Sequence, residues 1–118
     1  MKQEQIIQNK IRLALSEYGI CFRTNSGKIF TGDKVWSNEH KQYVLINLRA
    51  VEGLPKGFSD TLFVGKDKVA FIEIKQPGEE PRPEQENFLN VMRSYGHVAG
   101  CAHSVEEAID LVKSSVKP

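Results

Sequence analysis

Little in this chain is covalently braced: two cysteines, Cys21 and Cys101, stand alone in different apolar segments, in neither a disulfide framework nor a metal-ligand spacing. Free thiols in a reducing compartment are the expectation, with no catalytic role. Long hydrophobic runs are missing too. The first fifteen residues are broken by Lys2, Glu4, Lys10 and Arg12, which excludes a signal peptide, and nothing approaches the roughly 20 apolar residues of a membrane span. A soluble cytoplasmic protein without membrane contact is expected. A charge excess is absent as well: 16 Lys and Arg against 15 Asp and Glu leave a net +1, no global signature of nucleic-acid binding. Any DNA contact must come from local patches, and acidic residues gathered at a site would mask it in the sum. No repeat, linker or low-complexity segment divides the 118 residues, whose 40% hydrophobic content suffices for one core, so residues 1–118 are expected to form a single domain.

What is present is concentrated between residues 60 and 75. Thr61-Leu62-Phe63-Val64 and Val69-Ala70-Phe71-Ile72 are apolar runs separated by Gly65-Lys66-Asp67-Lys68, the pattern of an antiparallel hairpin with a tight polar turn. With the turn centred between Lys66 and Asp67, Val64 faces Val69, Leu62 faces Phe71 and Asp60 faces Glu73. Strand alternation then puts Glu73 and Lys75 on one face, with Asp60 joining them across the ladder. Carboxylates directly opposite each other repel. Lys75 offsets part of that charge, but a divalent cation suits the pair better, because Mg²⁺ takes one or two carboxylates plus waters and a substrate phosphate. A lone acid-x-lysine on a strand is otherwise an ordinary ion pair.

Elsewhere the periodicity predicts a helix from about Lys2 to Tyr18 with Ile7, Ile11, Ala14 and Tyr18 on one face, ended by Gly19. A strand over Ile20 to Asn25, a turn at 26–28, a polar excursion from Thr31 to His40 around Trp36, and a strand from Lys41 to Leu48 follow. A loop from Gly53 to Phe58 delivers the chain to Asp60. Beyond the hairpin come a helix from Pro83 to Tyr95, with Phe88, Leu89, Met92 and Tyr95 on one side, a short strand in 97–102, and a last helix opened by the capping box Ser104-Val105-Glu106-Glu107. This order predicts an α/β protein with a mixed central sheet flanked by helices on both faces.

Several polar residues fall on apolar faces. Glu4 continues the stripe of the first helix, where it serves either the helix dipole or a site. Gln85 lies on the core side of its helix and either satisfies its own turn or orients acidic ligands. Arg23, Asn25, Ser26 and Lys28 surround a turn that is either a solvated hairpin or a phosphate contact. Trp36, with Lys34, His40 and Lys41 nearby, either stacks on bases or fills a dimer interface.

At Asp60, Glu73 and Lys75 the chain resembles the PD-(D/E)xK nuclease superfamily, with its restriction-endonuclease-like core. Taken with Arg23 to Lys28, Gly57-Phe58-Ser59-Asp60, Ile72-Glu73-Ile74-Lys75 and the Glu84-Gln85-Glu86-Asn87-Phe88 helix start, it is similar to the virus-type replication-repair nuclease (VRR-NUC) domain in its stand-alone phage and bacterial form. Ser59 stands where the superfamily motif has proline. The resemblance implies Mg²⁺ or Mn²⁺ held by Asp60, Glu73, the Ile74 carbonyl and Glu4, with Lys75 and Gln85 completing the catalytic set. It also implies a homodimeric, structure-selective endonuclease acting on branched DNA such as four-way junctions, or on duplex. The alternative is a non-catalytic nucleic-acid-binding module that keeps the fold.

Overall fold

The computed structural model describes residues 3–24 and 28–113, residue 28 by its backbone only. Its elements are α1 (Gln3–Leu15), β1 (Ile20–Arg23), β2 (Lys28–Ser37), β3 (Gln42–Glu52), β4 (Thr61–Val64), β5 (Val69–Ile74), α2 (Pro83–Ser94), β6 (Val98–Ala102) and α3 (Val105–Lys113). The protein is mixed α/β. A four-stranded sheet runs in the order β1-β4-β5-β6, antiparallel except for the parallel β5–β6 pair, and β2 and β3 form a separate two-stranded ribbon.

The hairpin register read from the turn is the observed one, Val64 opposite Val69 and Leu62 opposite Phe71, through Thr61 opposite Ile72. Alternation along β5 sorts the helices. Ala70, Ile72 and Ile74 turn to the core formed with Ile11 and Leu15 of α1 and Ala108 and Val112 of α3. The other face carries Phe71, packed with Phe58 and with Phe88 of α2, the Phe58–Phe88 centroids 4.6 Å apart. Helices therefore cover both faces, since an apolar strand without polar alternation has two sides to bury. No helix among the described residues is long and apolar enough to cross a membrane.

Three expectations need correction. The first helix stops at Leu15, not Tyr18, and its buried residues are Ile11 and Leu15; Tyr18 lies in the turn beyond and is exposed. Residues 31–37 are not a polar excursion but part of strand β2, paired with a β3 that extends to Glu52. The polar Thr31-Gly32-Asp33 stretch coincides with a shift in register, where Asn47 on β3 takes φ 54° and two residues oppose one. Tyr95, placed by periodicity with Phe88 and Leu89, lies just past the end of α2 and is exposed.

The approach to Asp60 depends on Gly57. At φ 95° it lets the loop touch α2, where a Cβ would sit 2.6 Å from the Glu84 carbonyl oxygen. Gly57→Ala is expected to cost about 1–3 kcal/mol in urea unfolding, through the left-handed backbone and this contact together.

Candidate functional site: a buried acid pair

The chain reaches Asp60 through a segment held by its own polar groups. Ser59, wholly buried in the proline position of the motif, donates its hydroxyl to the Thr61 carbonyl at 3.1 Å, and its own carbonyl accepts from the Thr24 hydroxyl. Thr24 also donates its N–H to the Asp60 carbonyl at 3.1 Å, so the end of β1 fixes the Asp60 backbone. The Asp60 carboxylate then accepts from the Ile74 N–H at 3.3 Å to both oxygens, from the Thr61 hydroxyl at 3.2 Å and from the Gln8 amide at 3.2 Å. Ile74 thus meets Asp60 through its N–H.

Glu73, 3% exposed, sits against Asp60. Its Oε1 accepts from the Gln85 side-chain amide at 3.1 Å, while its Oε2 is buried without a hydrogen-bond partner. Gln85 does both things the sequence left open. Its oxygen accepts from the Arg82 N–H at 2.8 Å, closing the first turn of α2, and its nitrogen holds Glu73. Burial lifts the Asp60 pKa to about 6 against the opposing Ile74 and Thr61 hydrogen bonds and Arg12, with Glu4 adding repulsion. Burial, and next the Asp60 charge, lift Glu73 to about 8, against the opposing charge of Lys75. Both acids are thus raised toward neutral pH and titrate as a pair.

Glu4 lies in the first turn of α1, close enough to influence Asp60, but the α1 side chain that touches Asp60 is Gln8, one turn further on. Sequence reasoning missed Gln8 and also Arg12. Arg12 donates to the Gln8 Oε1 at 3.4 Å, its Nε is buried without a partner, and its pKa is lowered first by burial, with the like charge of Arg23 also acting. The signal was available: residues 4, 8, 12 and 15 follow helical spacing. Arg23 ends β1 next to this group. Asn25 and Ser26 lie outside the described residues, as does the side chain of Lys28.

Beside Glu73 on the neighbouring strand is Cys101, whose thiol is pushed up to about 12 by burial and then by the Glu73 charge. His103 comes within 3.7 Å of that sulfur, and Glu107 accepts at its Nδ1, 3.0 Å away. The trio has the residue types of a nucleophilic triad but not its chemistry. The thiol stays protonated, and the His103 Nε2 is turned to the Glu79 carbonyl at 2.7 Å. An acceptor at each nitrogen favours the cationic imidazole, and the His103 pKa is raised, first by Glu107. Glu107 also accepts from the His103 N–H at 2.8 Å, so the expected capping box is only half made, by the Ser104 hydroxyl accepting from the Glu107 N–H at 3.1 Å.

Among the described residues no group of three or more His, Cys, Asp and Glu is gathered to hold an ion by side chains alone. Magnesium takes one or two carboxylates and leaves its other positions to water, and rarely takes an all-protein cage. The orphaned Glu73 Oε2 is the observation that fits a cation, since a buried acid oxygen without a donor lacks compensation.

Fold and site define a mixed α/β protein in which a buried glutamate and a half-buried aspartate lie together, both with raised pKa values, with a lysine and two arginines nearby. The chain matches no protein-family model and no curated protein.

Proposed function

We propose that the chain is a divalent-cation-dependent deoxyribonuclease with a PD-(D/E)xK core of the stand-alone virus-type replication-repair kind, a single domain acting on branched or duplex DNA. The observation that carries the reading is the Asp60–Glu73 pair itself. Packing two acids together with one buried oxygen lacking a hydrogen-bond partner costs stability, which supports a functional role for the arrangement.

Asp60 and Glu73 would hold Mg²⁺ or Mn²⁺, with the Ile74 carbonyl and Glu4 as further contributors. When bound, the cation supplies a polarised phosphate and an acidified water. The rest belongs to the chain. Gln85 fixes the Glu73 carboxylate in one orientation, and Gln8 and the Ile74 N–H do the same for Asp60. Lys75, on the same strand face as Glu73, orients the attacking water and meets the charge that develops on the phosphate. Arg12 and Arg23 lie close enough to repel and gain from an anion between them, which a DNA phosphate supplies. The Phe58, Phe71 and Phe88 cluster packs the same sheet face and limits water from beneath.

The test is a panel of labelled single strand, duplex, flap and four-way junction, incubated with Mg²⁺, Mn²⁺ or EDTA. Cleavage confined to the cation-containing reactions and leaving 5′-phosphate ends is the expected result. Binding to the panel without cleavage in any of them would establish the non-catalytic module instead.

A further inference from the structure

The connection from β5 to α2, residues 75–82, joins two parts of the candidate site. It begins at Lys75, whose N–H donates to the Ala102 carbonyl at 3.1 Å, and ends at Arg82, the N-cap of the helix that carries Gln85. Little packing holds it between those points. Residues 77–80 are exposed, and Gly78, at φ 89°, has nothing within 4 Å of where a Cβ would stand. Its own bonds are short-range: the Glu79 N–H donates to the Gln76 carbonyl at 3.0 Å, and the Arg82 N–H to the Gln85 side-chain oxygen at 2.8 Å. Its middle is tied to the rest of the fold by His103, whose Nε2 lies 2.7 Å from the Glu79 carbonyl oxygen.

His103 is anchored in turn from α3. The Glu107 Oε1 accepts from its N–H at 2.8 Å and lies 3.0 Å from its Nδ1. A carbonyl and a carboxylate only accept, so both ring bonds stand together only when each nitrogen carries a hydrogen, which is the imidazolium. Loss of one proton leaves a lone pair against an oxygen. The carboxylate is the stronger acceptor, so Nδ1 keeps its hydrogen and the Nε2 lone pair then faces the Glu79 carbonyl. Around the ring stand Glu107 on α3, Glu80 on the connection and the neutral Cys101 thiol on β6, while Lys10 of α1 and Glu106 of α3 share with it a cavity of about 350 Å³. The acidic groups prevail, and the His103 pKa is raised, first by the Glu107 hydrogen bond and then by the Glu79 carbonyl.

We propose that His103 is a positioning residue, a proton-dependent clasp that joins the Glu79 carbonyl to α3 and so holds the 75–82 connection closed between Lys75 and Gln85. Its value to catalysis rests on the nuclease reading; the clasp itself does not. With the imidazolium in place, the end of β5 and the start of α2 are held to the β6–α3 junction, and Lys75 keeps its place beside Glu73. A histidine whose pKa is raised by folding stabilises the closed form fully below its ordinary range near 6.5, and that stabilisation is lost as pH rises through the higher, folded value. The connection therefore loosens on the alkaline side, as a local opening rather than as unfolding of the whole chain.

The Lys75, Glu79 and Arg82 amides are all donated while the connection is closed, so their hydrogen exchange reports its opening. The test is their protection, corrected for the intrinsic pH dependence of exchange, in EDTA and without DNA, beside the titration of the His103 imidazole by NMR in the same sample. In the wild type, protection at all three is expected to fall roughly fivefold as the imidazole loses its proton, the effect of one charge-assisted hydrogen bond partly screened by solvent. Glu107→Gln should lower the imidazole midpoint and carry the fall in protection to the same lower pH, a displacement that a merely structural contact does not produce. The acid pair titrates nearby, and His103→Gln, which leaves Asp60 and Glu73 in place, should abolish the fall. Level protection while the wild-type imidazole titrates would overturn the proposal, as would a Glu107→Gln profile that stays at the wild-type pH or an undiminished fall in His103→Gln. A fall at Glu79 that spares Lys75 would overturn the positioning role. The wild-type comparison of midpoints needs no variant and stands if one fails to fold. Neither DNA nor a cation is present, so the clasp and the nuclease reading fail separately.

Discussion

Asp60→Ala is expected to lower cleavage at least about 1,000-fold while leaving the protein folded. A group that helps stabilise charge in the transition state is worth about 4 kcal/mol or more, which is that factor in rate. The same carboxylate also accepts from Ile74, Thr61 and Gln8, and each hydrogen bond contributes on the order of 1 kcal/mol net. Against that loss, the substitution removes one of two acids that repel each other in a buried place. The two effects oppose, so the melting temperature is expected to move by only a few degrees. The measurement is single-turnover cleavage beside a thermal melt in EDTA. Residual activity within about tenfold of wild type, in a folded variant, would mean that Asp60 is not at the reacting centre.

The second large effect is a gain in stability. Glu73→Gln keeps an oxygen for the Gln85 amide and removes a carboxylate whose second oxygen has no partner. In the folded protein the acid titrates near 8, well above the range near 4 of an unfolded chain. The folded state therefore holds the proton more tightly than the unfolded state, and wild-type stability should fall as pH rises through that window. The variant has no such proton to lose. Without metal the two should be nearly equal at pH 4–5, and by pH 9 the variant should be more stable by on the order of 3 kcal/mol. Saturating Mg²⁺ should reverse the order by stabilising the wild type alone. Parallel stability-versus-pH curves from urea unfolding in EDTA would remove the premise that Glu73 is buried at a cost.

Why one half of this site could be read from the sequence and the other half could not comes down to phase. The acid pair was legible because the turn Gly65 to Lys68 is flanked by apolar runs of matched length, which fixes pairing to the residue, and a slip of one would turn every side chain over. Gln85 was legible for a related reason, lying three and four residues before Phe88 and Leu89. The α1 contribution was not. The stripe was phased on Tyr18, whereas Leu15 is the residue buried, and that error hid Gln8 and Arg12 behind Glu4. The ribbon was half missed because strand signals come from one buried face, and β2 has none: Thr31, Gly32 and Asp33 interrupt it at a bulge, and its apolar side chains meet solvent. The half-made capping box at Ser104 was hidden for another reason, since Glu107 is drawn to His103, a partner the spacing rule does not include.

The Gln85 amide also fixes where an invisible atom resides. Rotating that amide end over end would set its oxygen against the Glu73 Oε1 and its nitrogen against the Arg82 N–H, two contacts that repel, so only one orientation is stable. Oε1 is accordingly spoken for as an acceptor and has no hydrogen of its own to donate to the amide. A proton held by the acid pair is left to Glu73 Oε2 or to Asp60. A cation bound as proposed would therefore displace that proton without breaking the Gln85 hydrogen bonds at the start of the helix.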